Sequence, residues 1–105
     1  MSSDRLKQLQ DFLVDSPNDP FLLFAMAKEY EKLEATDEAL SYYLKLTREH
    51  PDYVGTYYHL GRLQVTFGKY EAALNTYEKG MEVAKAAGDR HAYSELVGAK
   101  LEIED

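Results

Sequence analysis

The chain of 105 residues contains no cysteine, which removes disulfides, thiolate metal sites and cysteine nucleophiles together and is compatible with a reducing compartment. Tryptophan is absent too, and proline and glycine are scarce at 3 and 6 residues. Little in the chain therefore interrupts helix, and no disordered low-complexity tract is present. Basic residues are in deficit: 12 Lys and Arg face 19 Asp and Glu, for a net charge of −7. That balance disfavours nucleic acid and anionic membrane as partners, since both attract cationic proteins. No apolar run approaches the roughly 20 residues of a membrane span, and the opening MSSDRLKQLQDFLVD carries Asp4, Arg5, Lys7 and Asp11 where a signal peptide would be apolar. The expectation is a soluble cytoplasmic protein. One domain covering 1–105 is expected, because about 100 to 200 residues are typical per folding unit.

Catalytic and metal-binding patterns are missing as well. His50, His59 and His91 are the only histidines, none spaced as HExxH, and without thiolates no metal site is expected. None of Ser2, Ser3, Ser16, Ser41 and Ser94 lies in GxSxG, and neither GxxxxGK[ST] nor GxGxxG occurs. Acidic neighbours such as Glu29/Glu31 and Asp37/Glu38 point to different sides of a helix and read as solvated surface. The expectation is therefore a protein that is not an enzyme and carries no cofactor.

What the chain does contain is an internal repeat. Pro17 and Pro51 stand 34 residues apart, and at the same offset Ala39 matches Ala73, Leu40 matches Leu74, Tyr43 matches Tyr77 and Lys45 matches Lys79. Met26/Leu60, Ala27/Gly61, Lys28/Arg62 and Asp37/Glu71 are conservative pairs. These matches gain weight from the helical pattern in which they fall. Leu23, Met26, Ala27, Tyr30 and Leu33 form one stripe of a 3.6-period helix, with Pro20 suited to its first turn. Ala39, Leu40, Tyr43, Leu46 and Thr47 form a second, opened by Thr36 or Asp37 as N-cap and stopped before Pro51. The short link between the two predicts an antiparallel hairpin.

A second hairpin repeats the pattern. Tyr57, Leu60, Gly61 and Gln64 mark one helix, Gly68 reads as its C-cap, and Ala73, Leu74 and Tyr77 mark a partner that runs on to about Ala87. Asp89 is the expected N-cap of a last helix bearing Tyr93, Leu96, Val97, Lys100 and Leu101, while Leu6, Leu9, Phe12 and Leu13 mark a first one. Six helices are thus predicted: a capping helix over 3–15, hairpins over 20–53 and 54–87, and a closing helix over 89–104. Helices approach to the lower limit of about 8 Å only where side chains are small, so Ala27 with Ala39, and Gly61 with Ala73, are expected at the seams. Tyr30, Tyr43, Tyr57, Tyr70, Tyr77 and Tyr93 fall on the apolar stripes and read as packing residues.

This arrangement resembles the tetratricopeptide repeat. Tyr57, Leu60, Gly61, Gly68, Tyr70, Ala73 and Tyr77 occupy motif positions in the second hairpin, and Leu23, Met26, Ala27, Tyr30, Ala39, Tyr43 and Pro51 do so in the first. The sequence departs from the family where it carries Leu23 and Tyr57 in place of Trp, and Thr36 in place of an aromatic. The resemblance implies an all-α, right-handed solenoid of antiparallel helix pairs whose concave surface is lined by the first helix of each pair. On those helices Phe24 and Lys28 are i and i+4, as are Tyr58 and Arg62 at the same repeat positions, with Phe21, Glu31 and Val65 flanking and His91 and Ser94 continuing the surface. The expected function is a protein-interaction module that holds a peptide with an apolar anchor and an acidic group. The alternative is a homodimer or structural assembly joined through the same aromatic surface. The clamp with which some members hold a chaperone's terminal carboxylate needs two asparagines. The matching places here carry Phe24, Lys28 and His59, with His91 on the closing helix, so that ligand is not expected.

Overall fold

A computed structural model describes residues 3–104 and forms six helices: α1 (Asp4–Asp15), α2 (Pro20–Lys32), α3 (Thr36–Glu49), α4 (Gly55–Thr66), α5 (Tyr70–Ala87) and α6 (Arg90–Glu104). No strand occurs among the described residues. The helices fall into two units, residues 1–50 with α1 to α3 and residues 51–105 with α4 to α6.

In the first unit the helix starts are set by short polar side chains. Ser3 Oγ accepts the Leu6 amide at 2.9 Å, and Asp19 accepts the amides of Phe21 and Leu22 ahead of α2, with Pro20 in the first turn. Leu6 and Leu9 of α1 bury against Met26, with Leu13, Leu22, Tyr30 and Tyr42 around them. Between α2 and α3 the small residues Ala27 and Ala39 have no exposed surface, nor do Tyr43 and Leu46. Tyr30 stacks on Tyr42 with ring centroids 5.6 Å apart, and Tyr43 meets Phe24 edge to face at 6.0 Å. His50 Nε2 donates to the Asn18 carbonyl at 2.8 Å, tying the end of α3 to the loop that opens α2.

The second unit packs around Tyr57, Ala73, Tyr77, Ala84 and Leu96. A Cβ at Gly61 would stand 2.6 Å from Tyr77 Cζ and still closer to Cε1, so glycine is what lets the Tyr77 ring lie on the α4 backbone. Gly80 makes a second close approach, where a Cβ would come 3.0 Å from Leu96 Cδ1 and meet Tyr57. The Tyr57 hydroxyl donates to the Pro51 carbonyl, and Asp89 caps α6 by accepting the Ala92 amide at 3.0 Å. Lys100 binds Glu78 of α5 at 3.1 Å. That hydrogen bond, with the charge of Glu104 next in weight, raises the Lys100 pKa above its ordinary value.

The turns inside the two hairpins are copies of each other. The Ala35 amide reaches the Tyr30 carbonyl and the Lys69 amide reaches the Gln64 carbonyl, each at 2.8 Å, with one left-handed residue inside each loop. In the second hairpin that residue is Gly68 (φ +75°); in the first it is Glu34 (φ +61°). The expected N-cap at Thr36 or Asp37 is corrected to Ala35, which makes no side-chain cap. The turn leads straight into α3, so Asp37 and Glu38 act inside its first turn on the helix dipole. Tyr70 and Tyr93, expected as packing residues, are instead 56% and 37% exposed, and Phe12 of the first helix is 61% exposed. Tyr70 opens α5 directly after the turn, outside the cluster that buries Ala73 and Tyr77.

Candidate functional site

Each unit carries one depression along its first repeat helix. On α2 a pocket of about 570 Å³ is lined by Phe21, Phe24, Lys28 and Glu31, together with Lys32, Glu29 and, from α1, Arg5. The first four are the residues expected there from sequence. Phe21 stands 64% exposed, whereas Phe24 is half-buried against Tyr43. The two carboxylates are turned inward: Glu29 is buried and accepts from Ser3 Oγ at 2.9 Å, and Glu31 accepts from the Tyr43 hydroxyl. The three cations Arg5, Lys28 and Lys32 are exposed and have no ion-pair partner among the described residues. The pocket thus presents phenyl rings and unpaired positive charge within a chain that is acidic as a whole.

On α4 a pocket of about 410 Å³ is lined by Tyr58, Arg62, Val65 and Thr66, by Tyr77 of α5, and by Ala99, Glu102 and Ile103 of α6. The Arg62 guanidinium lies 5.8 Å from the centre of the Tyr58 ring, which holds it over an aromatic face. Tyr58 in turn meets His59 edge to face at 5.6 Å. Burial pushes the Tyr77 phenol above its usual pKa, and the neighbouring Tyr58 adds to the shift. Arg62 opposes that rise and Glu102 reinforces it. Expected Tyr58, Arg62 and Val65 therefore share one pocket, but His91 and Ser94 do not join it. Both α4 and α6 pair with α5, so they run parallel, and the C-terminal half of α6 lies beside Arg62 while His91 sits in its first turn. His91 instead faces Glu95 at 3.6 Å, and Ser94 lines a different pocket.

Residues the sequence reading passed over are Arg5 and Lys32 on the first pocket and Glu102 and Ile103 on the second. Lys32 was open to detection, since it lies i+4 from Lys28. Arg5 and Glu102 were not, because their place depends on how α1 and α6 dock. No group of three or more His, Asp or Glu among the described residues is placed to hold a metal ion.

The sequence profile of the tetratricopeptide repeat matches residues 54–86. The crystal structure of a tetratricopeptide repeat domain protein from Salinibacter ruber is similar to this chain at 42% identity and a TM-score of 0.81, over 83% of this chain and 97% of that one. The solution structure of a tetratricopeptide repeat domain protein from the same organism agrees at 43% identity and a TM-score of 0.80, over 84% and 89% of the two chains. A protein from Bordetella parapertussis shares the fold at 23% identity and a TM-score of 0.82, over 99% of this chain and 90% of that one. No curated protein matches the sequence. Two helical hairpins with small residues at their seams, a matching profile over the second and a likeness of 42% identity over 83% of this chain to a tetratricopeptide repeat domain protein place this chain in the tetratricopeptide repeat family.

Proposed function

We propose that the chain is a non-catalytic adaptor whose basic and aromatic pocket on α2 takes an acidic segment of a partner polypeptide beside an apolar anchor, with the Arg62–Tyr58 pair on α4 as a second such contact. Tetratricopeptide repeats generally bind other proteins, and the family is in general a non-catalytic one. No described helix is long and apolar enough to cross a membrane, which suits a cytoplasmic partner. The observation that carries the reading is the pocket on α2, where Arg5, Lys28 and Lys32 surround Phe21 and Phe24 while Glu29 and Glu31 are engaged inward. The phenyl groups offer apolar contact, and the unpaired cations select carboxylates. Arg62 over Tyr58 repeats the pairing in the second unit.

Selection from a random peptide library tests this directly. Peptides retained by the wild type are expected to combine Asp or Glu with an aromatic or large aliphatic residue. Their binding should weaken as salt rises and fall about tenfold or more in the Lys28→Glu, Arg62→Glu double variant. Retained peptides without acidic residues, bound equally by the charge-reversed variant, would overturn the reading.

A further inference from the structure

α6 buries one side and leaves a second apolar stripe flanking it. Leu96 is fully buried, and Ala92, Ala99 and Ile103 pack on the same core. At helical spacing, about a third of a turn round the helix from that buried side, run Arg90, Tyr93, Val97, Leu101 and Glu104. Tyr93 is 37% and Leu101 56% exposed, and Val97 is half-buried without joining the core cluster. Beside them Gly98 has open space, with nothing within 4 Å of where a Cβ would be. A backbone can come close there.

Inside the Asp89 cap, the charged residues at the two ends of this helix run against its dipole. Its first turn has no acidic residue and its last turn no basic one; Arg90 opens it and Glu104 closes it. Against a second α6 laid antiparallel the same order becomes complementary. With Val97 on the two-fold axis, Arg90 lies opposite Glu104, Tyr93 opposite Leu101 and Ser94 opposite Lys100, each pair occurring twice. The start of the stripe also borders a pocket of about 490 Å³ lined by Lys85, Gly88, Asp89, Arg90, Tyr93 and Ser94. Asp89 is engaged as the cap of α6, while Lys85 and Arg90 have no ion-pair partner among the described residues. An apolar side chain followed by a carboxylate fits that pocket, and Leu101 with Glu104 of a second copy supplies both. Among the described residues Glu104 pairs only with Lys100, at 3.7 Å, and Lys100 is already closer to Glu78.

We infer that the outer face of α6 is a self-association surface, on which two copies pair their closing helices antiparallel about Val97. This face lies away from Arg62 and its pocket, so pairing leaves the peptide-binding reading untouched and stands or falls separately. One pair of helices about 22 Å long is a small interface, and the dimer belongs to the weak, concentration-dependent class.

Sedimentation equilibrium over a concentration series of the 105-residue chain decides the matter. The expected result is a mean mass rising from one chain toward two, and held at one chain by Leu101→Glu. Arg90→Glu alone and Glu104→Arg alone should each abolish pairing. The double variant should restore it, as should an equimolar mixture of the two single variants. Circular dichroism and melting identify any variant that fails to fold, and the mixture keeps the register testable, because each exposed charge change is already present in a folded single variant. A wild type that stays monomeric throughout would overturn the inference. So would a dimer that survives Leu101→Glu, or one lost in Phe24→Ala, Tyr58→Ala instead, which would assign pairing to the aromatic surface of α2 and α4.

Discussion

Adding one methyl group to two glycines of this protein should change stability in opposite directions. At Gly61 the new Cβ would lie 2.6 Å from Tyr77 Cζ and 2.7 Å from Cδ1, whereas carbon atoms in contact rest at about 3.5 to 4.0 Å. The ring must therefore retreat by about 1 Å. It has little freedom to do so, being 2% exposed and packed among Tyr57, Ala73, Ala84 and Leu96. Overpacking of this kind costs about 1 to 3 kcal/mol, and the helix propensity gained by replacing glycine with alanine returns up to about 1 kcal/mol. With three ring atoms inside 3.0 Å the cost falls at the upper end of that range, so Gly61→Ala should lose about 2 kcal/mol net. At Gly98 nothing lies within 4 Å of the added carbon, so only the propensity counts and Gly98→Ala should gain about 0.5 to 1 kcal/mol. Thermal melts at low protein concentration, where self-association is negligible, would read these as a fall and a rise of several degrees, at about 4 to 8 °C per kcal/mol. A Gly61→Ala protein as stable as the wild type would refute the close approach of Tyr77 to α4.

Three further outcomes follow from the packing. Thr56 is fully buried and its hydroxyl has no hydrogen-bond partner among the described residues, so the isosteric Thr56→Val should raise the denaturant midpoint by about 1 kcal/mol equivalent; a drop would reveal a hydrogen bond at that hydroxyl. The left-handed Glu34 should favour glycine, with Glu34→Gly gaining up to about 1 kcal/mol and Gly68→Ala losing about 1 kcal/mol in the same melts; a loss at Glu34→Gly, or no loss at Gly68→Ala, would overturn the shared turn geometry. Stability should also fall at alkaline pH, because burial raises the phenol pKa of Tyr42, Tyr57 and Tyr77 above the ordinary 10.0. The unfolded chain then releases these protons first, so the contribution is intact below 10.0 and is lost as pH climbs through the raised values. Denaturant titrations at stepped alkaline pH, read alongside tyrosinate absorbance, check this, and an unchanged midpoint would contradict the burial.

The sequence alone determined that the chain forms paired helices, because the spacing of Leu23, Met26, Ala27 and Tyr30 has only one regular backbone that places all four on one side. It also located Asp89 and Gly68, whose chemistry acts on the adjacent backbone, and it set Phe24 with Lys28 and Tyr58 with Arg62 on single helix faces. These are local properties carried along the chain. Docking decided the rest. Arg5 joins Phe24 and Lys28 only because α1 packs on α2, and Glu102 rather than His91 approaches Arg62 because α4 and α6 run parallel. Tyr70 and Tyr77 occupy equally apolar-looking positions, yet the packed core covers Tyr77 and leaves Tyr70 exposed. Helical periodicity tells which residues share a face, but which neighbour meets that face, and how far along the helix the contact extends, is settled when side chains from distant parts of the chain fill the same space.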